Sequence, residues 1–360
     1  MRAPAGVKRA IAAPAPDKTF ARRVIAWQRR HGRHDLPWQN TRDPYRLWLS
    51  EIMLQQTQVA AVIPYYARFL ARFPTLEALA AAPEDDVLKL WSGLGYYARA
   101  RNLHRAAQTV VVQHGGHFPR DPAAIEALPG IGRSTAAAIA AFSYGARTAI
   151  LDGNVKRVFA RHFGVRGWPG IPAVAARLWA LAEAALPARG IEAYTQGLMD
   201  LGATVCVRTP QCAACPLAAT CVAYKEDLTA RIPAAKPKKA LPHRRTAMLI
   251  ALHAGCVLLE KRPSQGIWGG LWSLPEAVAG KARANAWTAV LGRGRHRAEA
   301  LAPVEHGFTH YRLTIEPCVV RLSRPPAERP GRVWLPLAET HGAALPAPVK
   351  RILAAMAAGQ

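Results

Sequence analysis

Residues 128–145, LPGIGRSTAAAIAAFSYG, decide how the chain is read. Gly130-Ile131-Gly132 stands between two helical patterns. Two glycines let the backbone turn tightly and approach a ligand closely. Upstream, DPAAIEAL offers Asp121 as N-cap and Pro122 at the first helical position. Downstream, STAAAIA is a small-residue helix whose first amides face outward, able to hold a phosphate. The segment 121–144 is therefore a candidate helix-hairpin-helix, with Gly130, Gly132 and Ser134 at its turn. It is followed by ILDGNVKR, residues 150–157, which sets a lone acid, Asp152, beside Lys156 and Arg157. Asp152 can N-cap the helix beginning at VKRVFARHF, or sit at a reaction centre, or do both.

Bulk properties agree with a polyanionic partner. The chain has 360 residues, with 48 Lys plus Arg against 23 Asp plus Glu, a net charge of +25. A GC-rich genome rich in Arg and Ala codons is the bland alternative; clustering of bases around motifs favours nucleic acid. No apolar run reaches membrane-span length and the start lacks a long apolar leader core. A cytoplasmic, nucleoid-associated bacterial monomer without a membrane is the expectation. Four of six cysteines crowd between 206 and 221, unlike a secreted disulfide framework.

Residues 1–17 read as a disordered basic tail, and 18–228 as an all-helical body without a convincing strand. PYRLWLSEIMLQQTQVAAVI predicts one helix from Pro44, PYYARFLARF a second opened by Pro64, and APEDDVLKLW a third with an acidic first turn. Residues 229–245, rich in Pro and cations, read as a linker. From 246 the texture changes: AMLIALHAGCVLLEKR predicts a hairpin, TIEPCVVRLS and GRVWLPL further strands, PVKRILAAMAAG a closing helix. A smaller α/β domain, 246–360, thus follows the helical body.

Glu51 lies on the first of these helices. Its helical neighbours are Leu47, Trp48, Leu54 and Gln55, three of them apolar. A carboxyl group so placed loses solvation, and its pKa rises toward what a general acid needs. A structural pair with Arg46 is the alternative.

The hairpin followed by Asp152 resembles the superfamily of helix-hairpin-helix base-excision glycosylases. LPWQNTRDPYRLWLSEIMLQQTQV is similar to the signature of the MutY family of adenine DNA glycosylases. The resemblance implies a two-lobed helical body in which Glu51 protonates a ring nitrogen of adenine. Asp152 would stabilise an oxocarbenium-like sugar, and Lys156 would bind phosphate with the hairpin. Leu36 and Trp38, with His34 beside them, would line the adenine pocket. Gln55, Gln56 and Thr57 would fill the stack left by the flipped base, and Tyr96 would wedge beside the orphan base. Trp38 and Tyr96 can equally be core residues. Arg99 and Arg101 are candidates for the DNA backbone. Lyase-type relatives place a nucleophilic Lys where this chain has Ser134, which implies a monofunctional enzyme.

Cys206, Cys212, Cys215 and Cys221 follow a C-x5-C-x2-C-x5-C pattern. Four thiolates this close share one centre, zinc or iron–sulfur. The pattern resembles the [4Fe–4S] loop of MutY and endonuclease III, one residue shorter in its first gap, which implies one [4Fe–4S] cluster. Arg208 is a candidate for the DNA phosphates there. In the C-terminal domain GIWGGLWSLPE resembles the approach to a Nudix box. The metal-binding carboxylates that would fall at 284–289 are replaced by ANAWTA. This implies a non-hydrolytic MutT-like domain that reads 8-oxoguanine through Phe308, Thr309 and His310. The expected substrate is double-stranded DNA with adenine opposite 8-oxoguanine or guanine. An endonuclease III-like lyase and a non-catalytic iron–sulfur DNA-binding module are the rivals. Protein partners are not legible.

Overall fold

The computed structural model describes residues 17–237, 240–278, 283–292, 296–327 and 329–358. The expected tail, apart from Asp17, lies outside them. Asp17 itself N-caps α1 (Lys18–His31), accepting from the Thr19 amide. The chain divides into two compact units, residues 1–66 with 109–237, and 67–108 with 238–360.

In the first unit, α2 (Pro44–Leu54) starts as its sequence dictates. The Asp43 side chain accepts from the Tyr45 amide at 2.9 Å and Pro44 occupies the first turn. The helix does not run on through the QQTQ segment. Gln55 leaves helical geometry and Gln56 takes a left-handed φ of 58°, so α3 (Val59–Arg72) begins afresh. Pro64 sits inside α3 instead of opening it. Val62, Tyr66, Phe69 and Phe73 recur at helical spacing and are buried, while Pro64 itself is exposed. Burial of that stripe outweighs one missing amide donor on the solvent side.

Helices α4 (Leu76–Ala80), α5 (Glu84–Trp91) and the start of α6 (Ala98–His114) lie in the second unit, where Phe69 packs against Phe73 and Trp91. Back in the first unit, α7 (Pro122–Glu126) and α8 (Arg133–Tyr144) form the glycine-turned hairpin, with α2 packed on α8. The buried alanines 136–138 and 140–141 let α8 approach its neighbours closely. α9 (Gly153–His162), α10 (Pro172–Ala184) and α11 (Ile191–Asp200) close a core around Phe20, Phe159, Phe163 and Tyr194. The cysteine segment 206–221 contains only two short 3-10 turns before α12 (Val222–Lys225).

The Pro-rich stretch after it is not free over its first part. Ile232 is buried in the core of the first unit, and its carbonyl accepts from Arg161 at 2.8 Å. A single apolar side chain anchors what composition alone reads as a tether.

The second unit holds a sheet of β1 (His243–His253), β2 (Cys256–Lys261), β3 (Trp272–Ser273), β4 (Glu276–Val278), β5 (Ala298–Ala300), β6 (Val304–Gly307), β7 (Arg312–Arg321) and β8 (Arg332–Pro336). The Ala-Gly break forms the expected hairpin. Ala254 and Gly255 both take positive φ, and Leu252 pairs with Val257. β1 begins at 243, inside the stretch read as linker. It also pairs in parallel with β7, from His243 opposite Arg312 to Leu252 opposite Arg321. Its side chains alternate between faces. Met248, Ile250 and Leu252 pack with Val349, Ile352 and Leu353 of α14 (Ala347–Ala358), whereas Ala247, Leu249 and Ala251 pack with Trp287 and Leu291 of α13 (Arg283–Leu291). A strand covered on both faces is continuously apolar, as this one is.

Candidate functional site

The first unit contains a cavity of about 550 Å³ whose wall includes Leu36, Trp38, Ser50, Glu51, Leu54, Phe142, Gln196 and Met199. α2 turns Leu47, Trp48, Leu49, Ile52 and Met53 into the protein and leaves Glu51 at the cavity wall. Enclosure of the carboxyl end, and after it the negative charge of Asp152, raise its pKa to about 8. Arg46 does not neutralise it; that guanidinium pairs with Asp43 at 3.5 Å.

Asp152 does N-cap α9. Its Oδ1 accepts from the Val155 amide at 2.7 Å. Burial raises its pKa, opposed by the Val155 amide, Arg157, the Asn154 amide and Lys156. Cap and buried carboxylate are therefore the same side chain. The segment leading to it is held from the hairpin, because Ser134 Oγ accepts from the Leu151 amide at 2.9 Å.

At the hairpin turn Gly130 has φ 77°, a conformation that suits glycine. Gly132 is different. It caps α8 with an ordinary φ of −103°, and a Cβ there would meet no protein atom within 4 Å. The same open space surrounds Gly153 at the start of α9. Nothing inside the protein demands glycine at either position. At α8 no side chain caps the helix, so its first amides stay available to a phosphate; at α9 Asp152 already takes the Val155 amide.

Gln55, Gln56 and Thr57 form the turn after α2, with Gln56 exposed. In the second unit Tyr96 is 46% exposed and, like Gln56, has a left-handed φ, 48°. It is not a core residue. Arg99 and Arg101 differ from expectation. Arg99 is buried, donates to the Leu94 and Gly95 carbonyls and lies over the Trp91 and Tyr96 rings. Arg101 donates to the Gly269 carbonyl. Arg99 thereby braces the Tyr96 loop, and Arg101 ties α6 to the loop carrying Gly269.

Sequence reasoning missed part of the cavity wall. Gln196 Nε2 donates to Asp200 Oδ1 at 2.8 Å, and Asp200 is fully buried and paired with Arg33 at 2.7 Å. Gln39 Oε1 accepts from the Leu36 amide at 3.1 Å. Tertiary folding alone brings positions 39 and 196 to one cavity; no spacing rule marks them.

Cys206, Cys212, Cys215 and Cys221 line one small cavity with Arg161. Arg161 donates to the Val207 and Arg208 carbonyls and reaches Cys206 Sγ at 3.5 Å; Arg157 donates to the Cys206 and Gly202 carbonyls. Burial raises the thiols of Cys212, Cys215 and Cys221, Cys215 to about 11. Among the described residues no three His, Cys, Asp or Glu side chains stand arranged to hold an ion. The donor set nonetheless fits a thiolate-bound centre, since all four sulfur-bearing residues face the same space.

In the second unit Phe308 stacks on Tyr311 at 4.6 Å and meets Trp268 at 5.3 Å. Thr309 and His310 project beside them, exposed. The ANAWTA stretch lies on α13, where Trp287 packs into the sheet core.

Comparison with known proteins follows this division. Residues 49–184 match the HhH-GPD superfamily of base excision DNA repair proteins, and residues 246–355 match the NUDIX domain. The adenine DNA glycosylase of Buchnera aphidicola subsp. Acyrthosiphon pisum is 38% identical over 338 residues, covering 93% of this chain and 96% of its own. That of Mus musculus is 34% identical over 397 residues, covering 92% of this chain and 77% of its own. A thermostable thymine-DNA glycosylase superposes with a TM-score of 0.52 at 31% identity, over 58% of this chain and 96% of that one. Endonuclease III in a non-covalent DNA complex shares the fold at 22% identity, with a TM-score of 0.50 over 59% of this chain and 99% of that one.

Proposed function

The chain belongs to the adenine DNA glycosylase family, and from that premise we propose that it hydrolyses the N-glycosidic bond of adenine mispaired with 8-oxoguanine or guanine. Its substrate is DNA and its reaction a step of base excision repair. The observation that carries the finer reading is the pair Glu51 and Asp152. One carboxyl group, with a pKa of about 8, lines a cavity roomy enough to admit a base. A second, coupled to it, caps the helix after the hairpin.

In this reading the adenine leaves the duplex and enters the cavity beside Leu36 and Trp38. Glu51 gives its proton to a ring nitrogen. The bond between the base and C1′ then breaks with its electron pair moving onto the base. Asp152 faces the positive charge that develops on the sugar, and water adds at C1′, its proton passing to the carboxylate that Glu51 has become. A carboxyl group protonated at neutral pH is matched to the first step, an ionised one held by two amides and flanking cations to the second. The Gln196 carbonyl oxygen, left free because its amide nitrogen is held by Asp200, suits the exocyclic amine of adenine. Ser134 supplies no amine, so no Schiff base forms from that position.

Gly130, Gly132, Ser134 and Lys156 would seat phosphates; Gln55, Gln56, Thr57 and Tyr96 would occupy the opened stack. Phe308, Thr309 and His310 would read the opposite base. Cys206, Cys212, Cys215 and Cys221 would hold one [4Fe–4S] cluster, which supplies structural ties to the loop carrying Arg208 and no bond-making chemistry. The enzyme would act in the bacterial cytoplasm, on the nucleoid. Among the described residues no helix is long and apolar enough to cross a membrane.

Base release from duplexes carrying adenine opposite 8-oxoguanine, guanine or thymine, and from a thymine glycol duplex, tests this. Adenine should leave fastest opposite 8-oxoguanine and hardly at all opposite thymine. Release of thymine glycol with strand cleavage, and none of adenine, would overturn it.

A further inference from the structure

The alternation of β1 decides where its cations go. Met248, Ile250 and Leu252 lie on the face packed against α14. Arg244 continues that register toward the start of the strand. It runs past the end of the core and lies over the Tyr311 ring, 4.8 Å from its centroid. Tyr311 is buried and stacks on Phe308. Its carbonyl accepts from the Phe308 amide at 2.9 Å and so closes the turn between β6 and β7. Thr309 and His310 stand at the tip of that turn, exposed. Arg244 is thus seated on the base of the hairpin whose tip carries them.

Its charge is uncommitted, unlike that of its neighbours. Arg245, on the other face of the strand, pairs with Glu316. Arg262, over the Trp268 ring, pairs with Glu276 at 2.7 Å. Arg351 donates to the Glu305 carbonyl at 3.2 Å. Arg244 is exposed, and among the described residues no carboxylate or carbonyl takes its guanidinium. We propose that Arg244 binds a backbone phosphate of the DNA strand that carries the base opposite adenine. This rests on the reading of Phe308, Thr309 and His310 as the lesion reader and adds the cation that holds the strand in register with it. A planar fork already laid on an aromatic ring loses little freedom when two of its N–H groups take two phosphate oxygens. Such a contact positions the duplex and carries no information about the base.

Affinity of the full chain is titrated at several salt concentrations on duplexes holding 2′-fluoro-2′-deoxyadenosine opposite 8-oxoguanine or guanine. The fluorine disfavours positive charge on the sugar and so blocks base release. Arg244→Gln should weaken binding severalfold at low salt, to the same extent on both duplexes. It should also flatten the slope of log affinity against log salt by about 0.9, the share of one phosphate. Arg244→Lys keeps the charge and should keep the slope. Arg321→Gln removes an equal charge from an exposed arginine at the far end of β7, roughly 26 Å along the strand from the register of Arg244. Salt screens a charge so far off, and the slope should not change. An unaltered slope in Arg244→Gln, or equal flattening by Arg321→Gln, would overturn the assignment and leave Arg244 as a cover for Tyr311. A loss confined to the 8-oxoguanine duplex would overturn it as well, in favour of contact with the base. An unchanged preference for 8-oxoguanine in Phe308→Ala would instead refute the reader, and the slope of Arg244→Gln would still decide the phosphate contact.

Discussion

Asp152 presses on Glu51 through space: its negative charge adds to desolvation in holding the Glu51 carboxyl group protonated up to about pH 8. A pair in which one member is neutral and the other charged can divide the labour of breaking a glycosidic bond. Glu51→Gln should therefore abolish adenine release while leaving duplex affinity within about twofold. Single-turnover release and a binding titration decide it, and near-normal release would remove Glu51 as the acid.

The same shift sets a pH window. Catalysis needs Glu51 protonated, so the rate attributable to it should be flat below its pKa and fall as pH rises through about 8. The stability consequence has the same sign but falls in a lower window. The folded state retains a proton that the unfolded chain gives up near the ordinary value of 4.5, so stability declines with rising pH between these two values. Glu51→Gln removes that penalty and should be more stable at neutral pH by on the order of 1–3 kcal/mol, visible as a higher Tm. At pH 4 the difference should vanish.

Asp152 carries two roles that separate by substitution. Asn is as good an N-cap as Asp. Asp152→Asn should keep Tm within a degree or two and lose adenine release; Asp152→Ala should lose both, at a stability cost of about 1 kcal/mol. Thermal melts beside release rates distinguish the cases.

At the hairpin the two glycines should respond differently. Gly130→Ala forces a side chain into φ 77° and should destabilise the fold by about 1 kcal/mol. Gly132→Ala meets no protein atom. It should leave Tm unchanged yet weaken binding to any duplex severalfold, measured as affinity at constant salt.

Lesion reading is tested within the full chain. Helices from 67 to 108 share a compact unit with the sheet, and Tyr97 donates to the Leu345 carbonyl at 3.5 Å, so truncation would disturb more than the reader. Thr309→Ala should lower the ratio of release opposite 8-oxoguanine to release opposite guanine severalfold, and Phe308→Ala should lower it further. An unchanged ratio in both variants would place lesion sensing elsewhere.

The centre at the four cysteines is checked by composition. The purified protein should be yellow-brown, with about four irons per chain. Stoichiometric zinc without visible absorption would identify the alternative thiolate centre. Cys215→Ser should lose the metal in either case.

Legibility in the sequence followed locality. The hairpin, the cap at Asp152, the apolar surroundings of Glu51 and the Ala-Gly turn between β1 and β2 are set by residues within one or two turns of each other, and periodicity reveals them. Gln39 and Gln196 are 157 positions apart and share a cavity only through the tertiary fold. Ile232 is one apolar residue among prolines and cations, too little for a pattern. Arg99 and Arg101 look like phosphate ligands by type. Their partners are backbone carbonyls of two separate loops, at Leu94 and Gly95 and at Gly269, a use that is invisible until those loops are seen.

Gln56 and Tyr96 share an uncommon trait: each holds a left-handed backbone without being glycine. Such conformations cost about 1 kcal/mol or more each, and Glu51 adds its own penalty. These are the positions that a campaign for heat resistance would repair first, by Gly or Asn at 56 and 96 and Gln at 51. Every such repair would trade away part of the apparatus assigned here to opening DNA and expelling a base. A thermostabilised version of this enzyme should therefore be sought with those three positions frozen, and an ordinary stability score at them read as a map of function.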